Sequence, residues 1–107
     1  MCQVEKIGAA YYTSPEMIKD GEYDEKADVY SIGMIFYLML SNMESPFESR
    51  EDWLILHQIK TIGVKIDKRD FENIDVSPES LDLLKKMLEM RPRFRPSAEQ
   101  CLNHIWF

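Results

Sequence analysis

The segment Glu25 to Leu40 constrains the fold more than any other part of the chain. It carries Ala27, Val29, Tyr30, Ile32, Met34, Ile35, Phe36, Leu38, Met39 and Leu40, so a helix drawn through it has no polar face to turn to water. A helix apolar on all sides belongs at the centre of a domain. Its longest apolar stretch, Ile32 to Leu40, is far shorter than the roughly 20 residues that span a bilayer. Gly33 costs such a helix about 1 kcal/mol relative to alanine, so either close backbone packing at that point or the wider tertiary context must compensate.

Around this rod, serines mark helix starts, because a side-chain oxygen can accept from the amides that a helix N-terminus leaves free. Ser14 and Ser77 each precede Pro-Glu, with proline at the first helical position and an acid in the first turn. Val76 and Leu81 are placed to staple the second of these starts, and Leu84, Met87 and Leu88 continue its buried stripe. Ser97 with Gln100 predicts a capping box for a short C-terminal helix; Ser49 with Asp52 predicts another helix running through Trp53, Leu56 and Ile59. Between Thr61 and Asp75, apolar alternation at Ile62, Val64 and Ile66 is interrupted by charges and Gly63, so an irregular connection with at most a brief edge strand is expected.

At 107 residues the chain is at most one domain. Its 13 basic and 19 acidic side chains leave a net charge of -6, which argues against nucleic acid or an anionic membrane and favours a cationic peptide as guest. Cys2, Cys101, His57 and His104 show no ligand spacing, so free thiols in a reducing compartment are expected rather than a metal site. MCQVEKIG has no apolar signal-peptide run, and a cytoplasmic location is the corresponding expectation.

Three stretches in order, GAAYYTSPE, DVYSIG and RPRFRPSAEQCLNHIWF, resemble the C-terminal half of a eukaryotic serine/threonine protein kinase catalytic domain. AYYTSPEMI, YDEKADVYSIGMIFYLML, SPF and LLKKMLEMRPRFRPSAEQCLNHIW are most similar to the calmodulin-regulated and calcium-dependent group. The resemblance implies a mainly α chain over residues 1–107, running from the end of the activation segment through the last helices of the kinase C-lobe, with the N-lobe and catalytic loop absent. It implies that Glu16, standing where the family has the glutamate of Ala-Pro-Glu, forms a buried pair with Arg95. It also implies that Asp28 accepts bonds from catalytic-loop amides, and that Ile7, Ala10 and Thr13 line the pocket for the substrate residue after the phosphoacceptor. The helix near Trp53 would border the docking surface. Leu38 stands where some basic-directed relatives carry a glutamate, so no preference for arginine in the substrate is implied.

Kinase chemistry rests on positioning and electrostatic stabilisation by a glycine-rich loop, a strand lysine, a catalytic-loop aspartate and asparagine, and a metal-binding aspartate. The 107 residues contain no G-x-G-x-x-G, no His-Arg-Asp and no Asp-Phe-Gly. No catalytic or metal residue is therefore expected within the chain; ATP and magnesium belong to a full-length parent, and protein or peptide is the implied partner. Ala9 replaces the usual hydroxyl residue that helps hold the catalytic aspartate, Arg91 a common aspartate, and Ile105 the proline of His-Pro-Trp, while SNMESPF is one residue longer than usual. Ala9 leaves a second reading open, a pseudokinase or non-catalytic helical interaction module. Arg91, Arg93 and Arg95 are expected as a solvated basic cluster, and truncation is expected to leave Val29, Ile32 and Phe36 partly exposed, promoting self-association.

Overall fold

The computed structural model describes residues 9–21, 23–41, 45–47, 51–64, 66, 71 and 76–106. Among these residues five α-helices follow one another: α1 Pro15–Asp20, α2 Glu25–Leu40, α3 Asp52–Thr61, α4 Pro78–Met87 and α5 Ala98–Leu102. Tight 3-10 turns also occur at Ala9–Tyr12 and Pro92–Phe94, and no strand occurs among the described residues. No described helix is long and apolar enough to cross a membrane.

The caps follow local chemistry. The Ser77 hydroxyl accepts from the Ser80 amide at 3.1 Å, opening α4. Ser97 and Gln100 form the full capping box of α5, with bonds of 3.1 and 2.8 Å in the two directions. Ser14 precedes α1 with extended backbone, but its hydroxyl makes no cap bond and lies buried without a partner among the described residues. Glu51 precedes α3, also without a side-chain cap bond, and Ser49 lies outside the described residues. The long helix is capped by Asp24, whose carboxylate accepts from the amides of Lys26 and Ala27 at 2.9 and 3.3 Å. Gly21, at φ 68°, ends α1 in the left-handed region that glycine enters without steric cost.

The helix α2 is the hub. It packs against α4, α5 and the Ala9–Tyr12 turn, and that turn also meets α3, which lies on α1. Tyr30, Met34, Tyr37 and Leu38 enter the main core with Tyr11, Phe47, Ile55, Ile59, Phe71 and Leu84. Edge-to-face contacts join Tyr11 to Phe47 at 5.3 Å and Tyr37 to Phe71 at 5.4 Å. A smaller cluster places Val29 with Leu83, Met87 and Cys101.

Three expectations need correction. The helix α2 is not buried all round: Ile32, Ile35 and Met39 are 53, 48 and 71% exposed along one side. Val29, expected near that open surface, is buried, because it faces α4 and α5; Phe36 is half-buried between the two environments. In α3 Ile55 and Ile59 are buried and Leu56 packs half-buried against the core, whereas Trp53 stands exposed. Val64 and Ile66 pack on the core without forming a strand.

Gly33 sits where α2 and α4 come closest. A Cβ there would lie 2.9 Å from Leu88 Cδ2 and 3.0 Å from Met87 Cβ. The Leu88 methyl can swing aside, but Met87 Cβ is fixed to its own helix, so room for a methyl requires α4 to move. Gly33→Ala should therefore destabilise the chain, since overpacking of about 1–3 kcal/mol exceeds the roughly 1 kcal/mol of helix propensity regained. Urea unfolding monitored by circular dichroism checks this; an unchanged or raised midpoint would show that the approach is not tight.

Candidate functional site: the buried Glu16–Arg95 junction

Pro15 starts α1 and leaves Glu16 in its first turn, pointing toward the start of α2. Arg95 follows the Pro92–Phe94 turn in extended backbone. The two side chains meet in a bidentate pair, with Arg95 Nη1 donating to Glu16 Oε2 at 2.7 Å and Nη2 donating to Oε1 at 3.1 Å. Their side-chain exposures are 0% for the arginine and 6% for the glutamate.

The remaining guanidinium hydrogens are also used. Nε donates to the Glu89 carbonyl at 2.8 Å, Nη1 to the Lys26 carbonyl at 2.8 Å and Nη2 to the Met90 carbonyl at 3.4 Å. All five donors of the planar fork thus meet oxygen. The guanidinium also lies 5.0 Å over the Tyr30 ring. Burial pushes the Tyr30 phenol well above its ordinary range, partly offset by Arg95 and reinforced by Glu16. Arg95 is therefore not part of a solvated basic cluster. Arg91 and Arg93 are the exposed members, their guanidinium carbons 4.5 and 4.9 Å from the Phe94 ring centre, and Arg91 also pairs with Glu89 at 2.8 Å.

Two residues that sequence reasoning passed over complete the junction. Lys26 Nζ donates to the Arg95 carbonyl at 2.5 Å and the Pro92 carbonyl at 3.4 Å, returning the bond that its own carbonyl accepts from Arg95. Ser31 Oγ donates to the Tyr12 carbonyl at 2.6 Å, fixing the turn before α1 to the central helix. Both bonds end on backbone oxygens, which have no signature in a sequence.

The other expected site residues divide. Ala10 is buried in the turn, its carbonyl accepting from the Thr13 amide at 3.2 Å, and Thr13 is half-buried. Ile7 lies outside the described residues. Asp28 is exposed and accepts a bond from the Tyr23 hydroxyl, which raises the Tyr23 phenol above its ordinary range. It therefore finds a donor within its own segment and is not a buried carboxylate. Among the described residues no group of three or more His, Cys, Asp or Glu comes together to hold a metal ion. Cys101 is free and buried, and burial pushes its thiol up.

A buried pair of this kind is costly to break one partner at a time, because the survivor remains charged, dry and unpaired. Glu16→Gln and Arg95→Met should each lower stability by about 3–5 kcal/mol, measured by urea unfolding. The two changes together should cost less than the sum of the singles; additive losses would mean the side chains act independently.

Comparison with known proteins agrees with this geometry. Residues 3–107 match the protein kinase domain family. Calcium-dependent protein kinase 4 of Plasmodium berghei (strain Anka) is 39% identical over 95% of this chain and 19% of its own length. The serine/threonine-protein kinase cds1 of Schizosaccharomyces pombe is 35% identical over 94% of this chain and 22% of its own. The chain thus spans about a fifth of the length of these curated relatives. Among solved structures, the Rad53 kinase domain with SCD2 superposes with a TM-score of 0.72 at 26% identity, covering 90% of this chain and 34% of that one. The same protein in complex with AMPPNP gives 0.73, covering 92% and 38%. A family match along nearly the whole chain, calcium-dependent relatives above 30% identity and a helical arrangement shared with a solved kinase lead to one conclusion: the chain belongs to the protein kinase domain family and is most like the calcium-dependent kinases.

Proposed function

We propose that these residues form the substrate-side helical half of a serine/threonine protein kinase that transfers phosphate from ATP to protein, and that the 107 residues alone do not carry out the transfer. The observation that carries this reading is the buried Glu16–Arg95 pair, which joins the first turn of α1 to Arg95, 79 residues away in sequence. A substrate-facing loop is useful only if held in one place. Arg95 holds α1 through Glu16, and Ser31 holds the Tyr12 carbonyl. On this reading Ala10, in the Ala9–Tyr12 turn, and Thr13, just after it, contribute to the pocket for the residue that follows the phosphoacceptor. Asp28, exposed near the start of α2, remains available to support a catalytic loop supplied by the rest of the enzyme.

On this reading ATP and its magnesium are held by parts of the full-length enzyme other than these 107 residues. No glycine-rich cradle exists in the sequence, and the described acids do not converge on a metal site. No step of phosphoryl transfer is assigned to them; their part is binding and support. A second reading, a pseudokinase or non-catalytic interaction module, is favoured by Ala9 alone, which stands in place of the usual hydroxyl residue. The exposed Ile32, Ile35 and Met39 favour self-association of the isolated chain, which light scattering over a concentration series reads directly.

A chimera separates these readings. Residues 3–107 should replace the corresponding part of an active calcium-dependent kinase and support magnesium-dependent peptide phosphorylation, with Ala9→Thr raising the rate and Glu16→Gln abolishing it. The 107-residue chain alone should give none. Phosphorylation by the isolated chain would overturn the assignment; a folded chimera that stays inactive with Ala9→Thr would favour the interaction module.

A further inference from the structure

The C-terminal turn holds a histidine with a different partner on each ring nitrogen. Its Nε2 lies 2.7 Å from Asp82 Oδ2, on α4. Its Nδ1 accepts from the backbone N–H of Trp106 at 3.0 Å. A nitrogen that accepts carries no hydrogen, so His104 is the neutral tautomer with its hydrogen on Nε2, donated to Asp82.

Trp106 is the part of the turn that this bond positions. Its ring lies 5.1 Å from that of Phe36, and the two rings help to line an apolar groove of about 370 Å3 with Val29, Leu83, Met87 and Cys101. Trp106 is 41% exposed as a residue, so it sits at the edge of the groove.

We propose that His104 is a proton-operated latch: the neutral ring holds the Trp106 backbone and seats the indole against Phe36, and protonation releases it from the groove. A second hydrogen on Nδ1 would face the Trp106 N–H donor to donor, so that bond must break. The Asp82 contact changes in the opposite sense, becoming a charge-assisted pair. The ring therefore stays on α4 while the backbone beyond it lets go.

The charged groups around the ring come from three elements. Asp82 and Lys86 belong to α4, with Lys86 Nζ 3.0 Å from the same Asp82 oxygen. Lys26 from α2 and Arg93 from the Pro92–Phe94 turn line the cavity that His104 shares with them. The His104 bond and then Lys86 hold the Asp82 carboxyl below the usual carboxylate range, so it stays ionised across the interval in which imidazoles change charge.

Only two tryptophans occur in the chain, and Trp53 is exposed, so Trp53→Phe leaves Trp106 as a single reporter. In that background, lowering the pH from about 8 to about 5 should shift Trp106 emission to the red and increase quenching by acrylamide, with helical circular dichroism unchanged. Adding His104→Gln should remove the pH dependence. Emission that does not change with pH, a shift that survives His104→Gln, or a shift accompanied by loss of helix would each overturn the latch.

Discussion

One arginine connects most of this fold. Arg95 meets both oxygens of Glu16 and three backbone carbonyls, at Lys26, Glu89 and Met90, and lies over Tyr30. A buried guanidinium is tolerable only when every donor finds an acceptor, since each unmet polar group in a dry interior costs free energy. That demand fixes α1, the first turn of α2 and the residues between α4 and α5 relative to one another. Lysine could not replace it, because a point charge with rotating donors cannot match a bidentate carboxylate and three carbonyls in one plane.

The central helix answers to two different neighbours. On one side Gly33 allows α4 to approach until no methyl would fit, and Val29 closes against Leu83, Met87 and Cys101. On another, Ile32, Ile35 and Met39 face outward. The same backbone therefore serves as a tightly packed spine and as an apolar surface. The Ala9–Tyr12 turn is tied to the spine by the Ser31 hydroxyl, which donates to the Tyr12 carbonyl.

How far the fold could be read beforehand depended on the range of each interaction. The caps at Ser77 and Ser97 were legible because a cap and its amide lie within three residues. The Asp24 cap obeys the same rule but was passed over in favour of serines. Ser14 carried the cap signature without using its hydroxyl. The Glu16–Arg95 pair spans 79 residues, so only resemblance to a family could join its ends. Lys26 and Ser31 bind carbonyls, which every residue possesses, and no pattern of side chains announces them. Composition gave α2 its place at the centre but not which of its sides would be covered.

The central claim is that Arg95 clamps the segment around α1 onto a core that can stand without it. Native-state hydrogen exchange of Arg95→Lys tests this most directly, because the variant keeps the charge and loses the fork. The amides of Thr13, Ile18 and Gly21, bonded to Ala10, Ser14 and Met17, should lose protection much more than the Ser41 amide at the end of α2. Equal protection of these amides in the variant and the parent chain would contradict the account.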